Sequence, residues 1–109
     1  MFALRWCVAM SHDPLAPLRA RFGQRCVEDL AKLRSLLNLD TVVRREPLRM
    51  VVHGLSGLAG SFGHASLSAL AGEIDDAITQ DQSVAEEKLF ELVAALERTI
   101  QEARGSAET

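Results

Sequence analysis

Apolar residues recur at three- and four-residue steps through four successive stretches of this chain. That spacing is the period of a helix with one buried face, repeated four times. Leu18, Phe22, Cys26, Leu30, Leu33 and Leu37 form the first stripe, and Leu48, Val51, Val52, Leu55, Leu58, Ala59 and Phe62 the second. Leu67, Leu70, Ala71, Ile74, Ala77 and Ile78 form the third, and Leu89, Phe90, Val93, Leu96, Ile100 and Ala103 the fourth. Charged side chains fill the other sides of the first stretch, among them Arg19, Arg21, Arg25, Glu28, Asp29, Lys32 and Arg34. A helix of this kind is stable only when its stripe is covered. Four of them with short connections imply an all-α fold, an antiparallel four-helix bundle in which every stripe is buried. Composition agrees: Ala and Leu dominate, Tyr is absent and there are only three prolines.

The breaks between stripes set the expected boundaries. Asp13, Pro14 and Pro17 read as a turn into the first helix, and Asn38, Asp40 and Thr41 as the break after it. Pro47 is tolerable only in a first helical turn. The second helix is therefore expected to start near Arg45, or to follow a short lead-in helix capped by Thr41 that ends before the proline. Gly60, Ser61 and Gly63 close it, and Asp81 and Gln82 form the next turn. Ser83-Val-Ala-Glu86 reads as a capping box for the last helix, which is expected to fray at Gly105. The chain of 109 residues is one domain. Residues 12–104 make the bundle, 1–11 a short N-terminal extension and 105–109 a disordered tail. Residues 1–10 are apolar but lack the layout of a signal peptide. Met10 precedes a polar opening and is a second candidate initiator beside Met1.

Bulk properties exclude some functions. Net charge is −3, which speaks against nucleic acid as a partner. No apolar run is long enough to span a membrane. Residues 1–49 balance at +4 and residues 50–109 at −7, which reads either as two differently solvated faces or as a dipole that orients a partner. Cys26 lies on an apolar stripe and Cys7 in the extension, so no disulfide framework is present and a reducing cytoplasm is the expected compartment. A monomer is expected, since the stripes are no wider than a single bundle needs.

One position stands apart. On a helical wheel His53 falls roughly 160° from the centre of the second stripe, on the wet face. Its neighbours one turn away are Arg49, Ser56 and Gly57, with Gly60 a turn further. Gly54, Gly57 and Gly60 together cost the helix roughly 3 kcal/mol relative to alanine. Glycine on a solvent face gains no packing, but it lets another molecule come close to the imidazole. A neutral imidazole has a free lone pair and is a covalent nucleophile. Phosphoryl transfer asks mainly for an in-line nucleophile and charge neutralisation. His64 follows His53 by eleven residues, which is not a ligand spacing on one helix face, and no metal site is expected.

His53-Gly-Leu-Ser-Gly57, followed by Leu-Ala-Gly-Ser-Phe-Gly63 and then Leu67, Leu70 and Ala71, resembles the histidine phosphotransfer (HPt) domain. The family pattern is His-x-Leu-Lys-Gly, a run of small residues, an apolar residue before Gly or Ala, and a second amphipathic helix. His53, Leu55, Gly57, Phe62 and Gly63 match it, whereas Ser56 stands where the family has lysine. The resemblance extends over most of residues 15–103. It implies that His53 is the phosphoacceptor of a two-component phosphorelay. The partner would be the receiver domain of a response regulator, a hybrid histidine kinase, or both. Docking would use the face around Arg49, Ser56, Gly57 and Gly60, with Arg49 as a candidate substitute for the missing lysine. The chain would need no cofactor of its own, Mg²⁺ being expected on the receiver, and would act as a phosphocarrier without ATP-dependent kinase activity. A kinase dimerisation domain fits less well, because Gly54 and not an acid follows the histidine. The alternative is an HPt-like interaction module that docks on a receiver or kinase without being phosphorylated.

Overall fold

A computed structural model describes residues 14–108, with side chains through Arg104. The expectations for the extension, for Met1 against Met10 and for Cys7 lie outside the described residues. The described chain forms four helices: α1 (Ala16–Leu36), α2 (Thr41–Ser61), α3 (Ala65–Thr79) and α4 (Glu86–Glu108). Each helix packs on two others in the cyclic order α1, α2, α3, α4, and the α2–α3 contact is the most extensive. This is the all-α four-helix bundle expected from the stripes.

The core is built from Phe22, Cys26 and Leu33 of α1, Val52 and Leu55 of α2, Leu67 and Ile74 of α3, and Leu89, Leu92 and Leu96 of α4. Each large aliphatic side chain buried there contributes about 1.5–3 kcal/mol. Two stripe assignments change. Leu18 is 45% exposed and Phe90 is 60% exposed, while Leu92 and Ala95 are buried. Residues 92–96 are an unbroken apolar run, and two helical spacings fit such a run equally well. Thr99 is buried on the same face and satisfies its hydroxyl on the carbonyl of Ala95, 2.8 Å away.

Helix boundaries follow local chemistry. Pro17 sits in the first turn of α1, where its missing N–H costs nothing. Pro47, by contrast, lies inside α2, which is continuous from Thr41. Neither expected boundary at the proline is present. The Val43 carbonyl loses its i+4 donor at Pro47, but Val43 is 60% exposed and water can serve it. The turns before the proline are held from outside. Buried Arg44 pairs with Glu86 of α4. Arg45 donates to the carbonyls of Gln82 (2.8 Å) and Ile78 (3.3 Å) at the end of α3. The capping box is not formed as expected: α4 starts at Glu86 itself, whose carboxylate is bound to Arg44. α4 also runs past Gly105 to Glu108. A single interior glycine costs only about 1 kcal/mol and does not by itself end a helix.

The ends of α2 and α3 close in the same way. The His64 N–H donates to Ala59 O and the Gly63 N–H to Gly60 O, with Gly63 at φ +81°. The Gln82 N–H donates to Ala77 O and the Asp81 N–H to Ile78 O, with Asp81 at φ +57°. Both are Schellman closures, which need a left-handed residue at that place. The first closure is fastened to α1 by the Phe22 ring, which stacks on Phe62 and His64 at centroid distances of 5.0 and 5.1 Å.

Candidate functional site

His53 projects from the middle of α2 with its side chain 71% exposed. Its Nδ1 lies 2.8 Å from Oδ2 of Asp75, a side chain of α3 that is only 16% exposed. A carboxylate only accepts hydrogen bonds, so Nδ1 carries the proton and donates it. The lone pair of the neutral ring then resides on Nε2. The second oxygen of Asp75, Oδ1, is buried and has no hydrogen-bond partner. The ring nitrogen thus holds the carboxylate at one oxygen.

Asp75 was not singled out from sequence. It lies on the flank of the third stripe, four residues after Ala71 and three before Ile78, where an apolar residue would fit. An acid at such a place was the one available signal. Which side chain it meets depends on how α2 crosses α3, and periodicity does not carry that.

The other expected site residues divide. Gly57 faces open space: a Cβ there would meet nothing within 4 Å. Helical side chains lean toward the N-terminus, so a side chain at 57 would overhang the imidazole one turn earlier. Gly54 and Gly60 are not mere access points. A Cβ at Gly54 would come within 2.9 Å of the Arg25 guanidinium of α1, and one at Gly60 within 3.2 Å of the Ser68 hydroxyl of α3. These two glycines do gain packing, contrary to expectation. Ser56 also faces away from the open side. Its hydroxyl donates to Ser68 O at 3.1 Å, and the Ser68 hydroxyl donates back to Ser56 O at 2.7 Å.

Arg49 lies one turn before His53 and is engaged by Glu46, with contacts of 2.7 and 3.1 Å. Hydrogen bonding to Glu46, its charge, and the charge of Asp75 all hold the Arg49 guanidinium above its ordinary value, and Arg49 in turn holds Glu46 below the usual carboxylate range. Val42, Val43 and Met50 of the same helix are exposed. A shallow groove of about 550 Å³, lined by Val42, Arg45, Glu46, Arg49, Ile78 and Thr79, runs along the α2–α3 seam.

Two other nucleophilic side chains among the described residues, Cys26 and His64, are spent elsewhere. Burial first, and then the neighbouring Asp29 charge, push the Cys26 thiol up to about 11, which leaves it an inert core residue. His64, just past the C-terminal end of α2, stacks on Phe22. Among the described residues no helix is long and apolar enough to cross a membrane.

Searches of curated proteins and of solved structures return no match. The family model described as Hpt domain matches residues 17–106, from the first turn of α1 to the last turns of α4. That span takes in all four helices, His53 and Asp75. The chain therefore belongs to the Hpt domain family, the phosphotransfer modules that work with receiver and kinase domains in two-component signalling.

Proposed function

We propose that this protein is a phosphorelay intermediate that carries a phosphoryl group on Nε2 of His53, to or from the aspartate of a response-regulator receiver domain. The observation that carries the reading is the His53–Asp75 pair: an exposed imidazole whose Nδ1 is fixed at 2.8 Å, which leaves Nε2 as the nitrogen that can attack. The Nε2 lone pair attacks phosphorus of the aspartyl phosphate. The N–P bond forms as the P–O bond to the carboxyl breaks, and the carboxylate leaves with the electron pair. Nδ1 keeps its proton throughout. Phosphorylated imidazole with that proton in place is positively charged, and the Asp75 carboxylate stabilises the charge as it develops. In the reverse direction the receiver aspartate attacks phosphorus and the ring is the leaving group.

Mg²⁺ belongs to the receiver in this reading. Of the acids on the His53 face, Asp75 is engaged by the ring nitrogen and Glu46 by Arg49. Gly57 gives the receiver its approach, and exposed Val42, Val43 and Met50 offer apolar contact beside it. The chain supplies no nucleotide chemistry and acts as a carrier.

The test is phosphotransfer from receiver domains that have been phosphorylated in the presence of Mg²⁺, read by phosphate-affinity electrophoresis. Wild type should take an acid-labile label and His53→Gln none. Asp75→Asn should slow labelling by roughly 10²-fold, the scale of a lost positioning or general-base contact. Receiver binding with no label on wild type would instead establish a docking module that carries no phosphate.

A further inference from the structure

We infer that a four-residue crossing of α2 and α3, Ser56 and Gly60 against Ser68 and Gly72, sets the reach between His53 and Asp75, and that Ser56 and Ser68 are positioning residues of the site. The crossing is reciprocal. Each serine hydroxyl donates to the backbone carbonyl of the other, at 3.1 and 2.7 Å. Each is seated beside a glycine of the opposite helix: a Cβ at Gly72 would lie 3.2 Å from the Ser56 hydroxyl, and one at Gly60 would lie 3.2 Å from the Ser68 hydroxyl. The helices meet here with no side chain larger than a hydroxymethyl between them.

The site lies one turn away on both helices. Ser56 follows His53 by three residues and Gly72 precedes Asp75 by three, which in antiparallel helices is the same direction. Aspartate is a short acid. It can reach an imidazole on a neighbouring helix at 2.8 Å only where the two backbones are close and held in one rotation. Apolar packing sets separation but leaves rotation loosely defined, whereas two opposed hydrogen bonds define both. The same arrangement accounts for the residue at position 56. Its hydroxyl is committed to Ser68, so in this chain the place of the family lysine serves the helix crossing and not the phosphoryl group.

The inference rests on the phosphotransfer reading of His53, but its first readout needs no transfer. Long-range ¹H–¹⁵N spectra of the imidazole report which nitrogen carries the proton. Wild type should show the Nδ1-protonated form. Gly72→Ala should displace the Ser56 hydroxyl, mix the two tautomers, and slow labelling by a phosphorylated receiver roughly tenfold. Ser68→Ala should act in the same direction. Ser56→Ala adds no atoms and removes only one of the two opposed hydrogen bonds, so it too should mix the tautomers, and combining it with Gly72→Ala should not restore the wild-type spectrum; a wild-type spectrum for Ser56→Ala would overturn its positioning role. Gly63→Ala, destabilising through its φ of +81° but adding its methyl to open space and not against the crossing serines, should leave the spectrum unchanged. A folded Gly72→Ala protein with the wild-type tautomer, or a Gly63→Ala spectrum as disturbed as that of Gly72→Ala, overturns the inference. If the tautomers respond as stated but wild type takes no label, the crossing stands and the phosphotransfer reading is the part that fails.

Discussion

Glu46 holds Arg49 through contacts of 2.7 and 3.1 Å on the same face as His53. The pair is exposed, and exposed pairs are weakly bound. A phosphoryl group one turn away would compete for the same guanidinium with a higher charge. Arg49→Ala should therefore shorten the phosphohistidine lifetime and Glu46→Gln lengthen it, each by roughly twofold, the scale of a helical i,i+4 charge pair. Equal lifetimes in all three proteins would remove Arg49 from the site. At this scale the sequence was informative about His53 and Gly57, because wheel position alone decides exposure. It was silent about Asp75 and about the neighbours on α1 and α3 that Ser56, Gly54 and Gly60 meet. Those four are defined by what the neighbouring helix presents to them, and each helical stripe says only that a neighbour exists.

The two left-handed helix closures give the element scale its clearest test. Gly63 has open space where a Cβ would go, so the whole cost of Gly63→Ala is its φ of +81°. A left-handed non-glycine residue costs about 1–2 kcal/mol, and Tm should fall by about 4–8 °C or somewhat more. Asp81 already bears part of that cost at φ +57°. Asp81→Gly should raise Tm by a few degrees (roughly 2–4 °C), with only a 3.7 Å contact to Arg45 lost. Thermal unfolding of both variants checks the pair of opposite signs. Gly63 was legible as a stop in the sequence because glycine is the common residue there. Pro47 was misread as a boundary because local rules weigh the missing N–H alone. They take no account of Arg44 and Arg45, which anchor the preceding turns to α4 and to the end of α3.

Across the whole molecule the uneven charge of the sequence is partly consumed within the fold. Arg34 faces Glu97 at 3.6 Å, Arg44 binds Glu86, and Arg45 lies 3.7 Å from Asp81, so basic residues of the first half meet acids of the second. Neither reading of the sequence imbalance anticipated this pairing. Asp29 is the buried exception, fully covered in α1 and bound by Arg25 at 3.1 Å. Burial raises its carboxyl above the ordinary 3.8, and Arg25 offsets that only in part. A raised acid favours the fold most when protonated. Its contribution is complete below 3.8 and is lost as pH rises through the higher folded-state value. Asp29→Asn lacks this loss, so its stability relative to wild type should improve between about pH 3 and about pH 7. Urea melts at both pH values measure the trend, and a relative stability that worsens would contradict it. His53 and Asp75 are 22 residues apart on a single helical hairpin whose three-residue turn is closed by its own backbone. Contacts that local form early and need little chain search. The reactive pair is therefore expected to assemble with the hairpin, ahead of the docking of α1 on α4, and a mutational folding study should find high φ-values confined to α2 and α3.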